Sequence, residues 1–64
     1  PVNRGVRIRT VDGRLVIDMH IIVSYGVNIS AIVKSIIHKV RYTVEEATGL
    51  DVQKVNVYVD KIAE

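Results

Sequence analysis

Sixty-four residues make at most one domain, and a chain of this length buries only about 60% of the surface that its unfolded form exposes, so its core must be small. The absence of cysteine excludes a disulfide framework or a thiolate metal site as a substitute for core, while 48% hydrophobic and 25% charged residues exclude a disordered segment. A net charge of +2 and a pI near 9.3 fall well short of the dense positive field of a dedicated nucleic-acid binder.

From Gly5 to Val11 the residues alternate, with Val6 and Ile8 on one face and Arg7 and Arg9 on the other, as a half-exposed strand requires. With Arg4 and Arg14, four of the nine basic residues fall in the first fourteen positions. Asp12 and Gly13 then form the dipeptide that tolerates the two positive φ angles of a type I′ turn, so the first and second strands are expected to pair antiparallel. The second strand, Arg14 to Tyr25, places Leu15, Ile17, Met19, Ile21, Val23 and Tyr25 on one face, an apolar set that must be buried. Its other face, with Val16, Asp18, His20, Ile22 and Ser24, is only partly polar.

Gly26, Val27 and Asn28 break the alternation. Ile29, Val33, Ile36, Ile37, Val40, Val44 and Ala47 then recur at the three- and four-residue spacing of an amphipathic helix, with Asn28 or Ser30 as its N-cap. Tyr25, Gly26 and Asn28 are read as the residues that turn the strand into this helix. Gly49 supplies a left-handed C′ position, with Leu50 expected to make the apolar contact of a Schellman ending. The last element, Val52 to Ile62, alternates again, with Val55, Val57 and Val59 facing one way and Lys54, Asn56, Tyr58 and Asp60 the other.

The expected fold is therefore α+β: one domain over 1–64, with a three-stranded sheet in the order β-β-α-β, one helix across a single face and a right-handed crossover. One helix can cover one face only, which leaves Val16, Ile22, Val52, Tyr58 and Ile62 pointing away from it. That apolar excess points to a protein interface, and Arg7, Arg9, Arg14, Val16, Ile22 and Tyr58 are the expected interaction surface.

No catalytic constellation emerges. The serines lack a His–carboxylate companion, and His38 has Lys34 and Tyr42, not ligands, one turn away. Gly5, Gly13, Gly26 and Gly49 fall at turns and element ends and form no phosphate-binding loop. Asp18 and His20 lie on one strand face about 7 Å apart, a spacing that a surface ion pair or a partly covered polar patch explains more simply than a shared proton or metal. The residues thus call for no enzyme, cofactor or metal. Arg7, Arg9 and Arg14 could grip phosphates, and a nucleic-acid module built on the basic hairpin is the alternative reading. It is disfavoured because three tyrosines and no other aromatics make a poor base-stacking platform. Glu45 and Glu46 sit in the last helical turn, against the macrodipole, with Arg41 one turn back offsetting part of the cost. The run from Met19 to Ala31, interrupted by His20, Ser24, Gly26, Asn28 and Ser30, is too short and polar to span a bilayer, which argues against direct membrane insertion. The first residues lack secretory-signal features, so a cytoplasmic location is expected. Without an initiating Met the chain reads as a fragment or processed form.

The run Val16 to Ile29, containing Tyr25-Gly26-Val27-Asn28-Ile29, followed by Thr48-Gly49-Leu50 and Val55-Asn56-Val57-Tyr58-Val59, resembles the alkaline shock protein family of Gram-positive and related bacteria, also described as envelope stress response proteins. The resemblance covers nearly the whole chain. It implies an abundant, non-enzymatic, cytoplasmic protein that meets the membrane through a separate anchoring protein and supports the envelope under stress, while self-association is expected from the apolar excess of the open face. Members usually carry a further strand and helix before the matched region, which would cover the open sheet face. Ser30, where a Pro is common, and His20, where a Tyr is common, depart from the family pattern.

Overall fold

The computed structural model describes residues 5–64 as β1 (Val6–Val11), β2 (Arg14–Ser24), α1 (Ile29–Thr48) and β3 (Val52–Ala63). β1 and β2 form the expected antiparallel hairpin, paired from Val6 opposite Met19 to Val11 opposite Arg14. Its turn has Asp12 at φ 51° and Gly13 at φ 77°, the two left-handed positions of the type I′ geometry that matches the right-handed strand twist.

The helix ends are set locally. Asn28 is the N-cap, its Oδ1 accepting from the Ala31 amide at 3.1 Å. Gly49 takes the left-handed conformation and donates its amide to the Glu45 carbonyl. The ending is not the full Schellman motif: the Leu50 amide donates to Thr48 Oγ1 at 3.1 Å, and the Leu50 side chain stays exposed. Thr48 Oγ1 in turn donates to the Val44 carbonyl at 2.7 Å, so a side chain adds to the backbone bond in closing the last turn.

After the helix, β3 runs parallel to β2 on the side away from β1, giving the strand order β1-β2-β3. β2 is thus the central strand, which explains why its odd-numbered face is wholly apolar. Leu15 and Ile17 join Val52 and Val55 in the core, with Ile37, Val40 and Val44 of the helix packed on them; Ile17, 1% exposed, lies at the centre.

Two irregularities in the β2–β3 pairing change which side chains share a face. Leu15 pairs with Val52 but Val16 with Lys54, and Ile21 pairs with Val59 but Ile22 with Lys61, so Gln53 and Asp60 are extra residues on β3. Strict alternation places Val52 and Ile62 on the uncovered face. The bulges reverse that: Val52 enters the core at 3% exposure, and Ile62 takes the register of Val23.

The acidic last turn of the helix also has a structural cause. Glu45 Oε2 accepts from the Val52 amide at 2.9 Å, and the Arg41 guanidinium donates to the Val52 carbonyl. These two side chains hold both backbone polar groups of the first β3 residue, in a partly buried position where either group left unpaired would be costly.

Candidate functional site

The face of the sheet turned away from the helix is polar. By strand register it carries Arg7 and Arg9 on β1, Arg14, Val16, Asp18, His20 and Ile22 on β2, and Lys54, Asn56, Tyr58 and Lys61 on β3. Asp18 is its centre. Its Oδ1 accepts from Asn56 Nδ2 at 2.8 Å and its Oδ2 from Arg9 Nε at 2.9 Å, so one carboxylate ties all three strands together. These hydrogen bonds, first from Asn56 and then from Arg9, hold the Asp18 carboxyl below its ordinary pKa, with Arg9 and Arg7 adding favourable charge.

A carboxyl whose pKa is lowered by folding stabilises the fold above its unfolded pKa, near 3.8, and loses that contribution as pH falls through the lower folded value. Asp18→Asn is therefore expected to be less stable than the parent at neutral pH and to show a flatter loss of stability below about pH 4. Urea midpoints measured by circular dichroism from pH 7 to pH 2.5, roughly spanning the carboxylate range, check this; parallel curves would show that Asp18 is merely solvated.

Next to this row, His20 and Tyr58 are cross-strand partners whose rings stack with centroids 4.9 Å apart and planes 22° from parallel. His20 Nδ1 lies 2.9 Å and 3.1 Å from the two oxygens of Asp60, the bulge residue. Asp18 and His20 therefore do not act as a pair: each has its own partners. Gly5, Val6, Arg7, Asp18, His20 and Tyr58 line a cleft of about 490 Å³ on this face. Gly5 is needed there because a Cβ at this position would meet the His20 carbonyl oxygen at 2.8 Å.

The residues expected to form an interaction surface separate accordingly. Arg7, Arg9, Arg14, Ile22 and Tyr58 are exposed on this face. Val16 is not: at 6% exposure it is buried between its cross-strand neighbours Arg9 and Lys54, whose long side chains can cover it with their aliphatic stems. With Val52 and Ile62 in the other register, the expected apolar excess on this face reduces to Ile22 and Tyr58. Asp12, Gly13, Asn28 and Gly49 take their turn and cap positions, Gly26 adopts φ 88° in the turn before the helix, and Tyr25 is exposed with its amide donating to the Ala63 carbonyl. Asn56 and Asp60 escape sequence reasoning, since only the β2–β3 register places them beside Asp18 and His20.

Apolar surface in excess lies instead on the helix side. The helix packs over β3, and on β1 the residues facing that way, Val6 and Ile8, are 41% and 57% exposed. No helix residue is fully buried: Ile29, Ile32, Val33, Ile36 and Ile37 are each only half covered. β1 therefore forms an apolar shelf beside an incompletely covered helix stripe. Among the described residues there is no cluster of three metal-ligating side chains, and no helix is long and apolar enough to cross a membrane.

The profile of the alkaline shock protein 23 family, described as having a cell envelope-related function, matches residues 1–64. The chain belongs to that family. It is 45% identical over 60 residues to the uncharacterized protein YloU of Bacillus subtilis, covering 94% of this chain and 50% of YloU. It is 37% identical over 59 residues to the uncharacterized protein Spy1614 of Streptococcus pyogenes, covering 92% of this chain and 49% of that protein. The chain thus spans about half the length of the curated relatives it matches. No solved structure matches it. The family resemblance carried by the Tyr25–Ile29, Thr48–Leu50 and Val55–Val59 segments is thereby confirmed, and with it a function related to the cell envelope.

Proposed function

We propose that this chain is a non-enzymatic protein-interaction module that self-associates through the apolar shelf of β1. The observation that carries this reading is the position of α1 over β3, which leaves Val6 and Ile8 in water on the side of the sheet that should be shielded. Two copies related by a two-fold axis could lay their shelves and half-covered helix stripes against each other, because an isologous contact needs only a self-complementary patch. The family's envelope-related function supports a membrane-anchored protein as the target of the assembled module.

Replacing both Val6 and Ile8 with Thr keeps the β-branched side chains that favour a strand but removes apolar contact. Sedimentation equilibrium is expected to show the parent chain associating with concentration and the Val6→Thr, Ile8→Thr variant remaining monomeric with unchanged circular dichroism. Ile22→Thr, on the opposite face, should associate like the parent. A parent chain that stays monomeric at all concentrations would remove the basis of this reading.

A further inference from the structure

The polar face carries an excess of cations, Arg7, Arg9, Arg14, Lys54 and Lys61 against Asp18 and Asp60. These charges are not equivalent. Arg9 is spent on Asp18, whose second oxygen is held by Asn56, so the acid at the floor of the cleft is already neutralised. Arg7 stands opposite Asp18 in the β1–β2 register and lines the cleft, yet it makes no hydrogen bond or ion pair among the described residues. The Tyr58 hydroxyl and His20 Nε2 likewise have no partner among the described residues, while stacking and the Asp60 contact fix the ring planes that carry them. Three residues with unused hydrogen-bonding groups thus line one cleft of about 490 Å³, a volume in the range of small-molecule sites.

The geometry also selects among anions. Asp60 is a carboxylate acceptor, so His20 Nδ1 donates to it and Nε2 is left for a ligand. A carboxylate has only two oxygens for the three groups at this cleft. A phosphate monoester has three terminal oxygens to share among Arg7, Tyr58 and His20, and the guanidinium fork suits two of them. The cleft is larger than a phosphoryl group alone needs, and the Tyr58 ring offers apolar surface for the group that bears it. We propose that the cleft bordered by Arg7, His20 and Tyr58 binds a phosphate monoester, its phosphoryl group held by these three side chains and its organic part lying against the Tyr58 ring. The site is on the opposite sheet face from the β1 shelf and stands or falls separately from self-association.

The test is a nitrogen–proton correlation NMR titration of the full chain at constant ionic strength with inorganic phosphate, phenyl phosphate and the diester diphenyl phosphate, together with flotation on vesicles containing phosphatidic acid or phosphatidylglycerol. Saturable shifts centred on Gly5, Arg7, His20 and Tyr58, tighter for phenyl phosphate than for inorganic phosphate and weak for the diester, are expected. Arg7→Gln should lower that affinity about tenfold, as loss of a charged hydrogen bond predicts, and Arg14→Gln should leave it unchanged. Binding only to phosphatidic acid vesicles, lost in Arg7→Gln, would assign the same chemistry to a lipid headgroup. The proposal is overturned if neither soluble monoester nor phosphatidic acid binds saturably, if diester and phosphatidylglycerol bind equally well, or if Arg14→Gln weakens binding as much as Arg7→Gln.

Discussion

Ile17→Ala is expected to leave the chain largely unfolded at room temperature or close to it. Among the described residues Ile17 is the most buried side chain, at the centre of the middle strand, and it contributes to the cluster that holds the helix to the sheet. Truncating such a residue costs about 2–5 kcal/mol through lost burial and the cavity left behind. A 64-residue fold has only about 3–10 kcal/mol of total stability to lose. Few neighbours can collapse into the space, because the opposing helix residues Ile37, Val40 and Val44 are themselves only partly covered. Ile17→Val should be milder, about 0.5–1.5 kcal/mol. Ile22→Ala, on the exposed face, should stay within about 0.5 kcal/mol of the parent. Urea denaturation followed by circular dichroism separates the three; a cost for Ile17→Ala similar to that for Ile22→Ala would show that the helix and sheet do not share this core.

The second large effect is expected at the join between helix and last strand. Glu45→Ala leaves the Val52 amide without an acceptor and Arg41→Met leaves the Val52 carbonyl without a donor, each in a partly buried position. A buried polar group deprived of its partner costs about 1–3 kcal/mol. Because both changes release the same residue, their effects should be non-additive, with the double variant falling short of the sum by about 0.5 kcal/mol or more. Hydrogen exchange gives the local readout: in either single variant the Val52 amide should exchange faster than those in the centre of β2. Additive effects with unaltered Val52 exchange would mean that Arg41 and Glu45 are solvated charges with no hold on β3. The contact also accounts for an acidic side chain tolerated against the helix macrodipole, since the backbone amide it receives compensates the unfavourable position.

Much of the fold is legible locally. The Asp12-Gly13 turn, the alternation of β1 and β2, the Asn28 cap and the Gly49 stop depend on residues within a few positions of each other, so their signals do not wait on tertiary packing. Leu15, Ile17, Val55 and Val57 read correctly as the covered face for the same reason. The Schellman ending does not hold, because Thr48 offers its hydroxyl to the Leu50 amide in place of a helix carbonyl, a competition between side chain and backbone that glycine placement alone does not reveal.

The candidate site was less legible, because its members come from all three strands. Arg7, Arg9 and Tyr58 stand out in the sequence as exposed polar or aromatic positions, but Asn56 and Asp60 acquire meaning only when β3 is laid beside β2 with its two extra residues. Those bulges also overturn the expectation of a greasy open face. One inserted residue shifts every later side chain to the opposite side of the sheet, and a period-two pattern cannot show where the partner strand skips.

The sequence by itself determined the element order, the turns and caps, the apolar face of the central strand and the family to which the chain belongs, because each is written in short-range patterns of residue type. Only the tertiary structure decided that the outer face is polar and knit by Asp18, that Val16 and Val52 are buried, and that the uncovered apolar surface is the β1 shelf. Those outcomes depend on strand register and on where one helix comes to rest over a sheet wider than itself, and both are fixed by contacts between residues far apart in the chain.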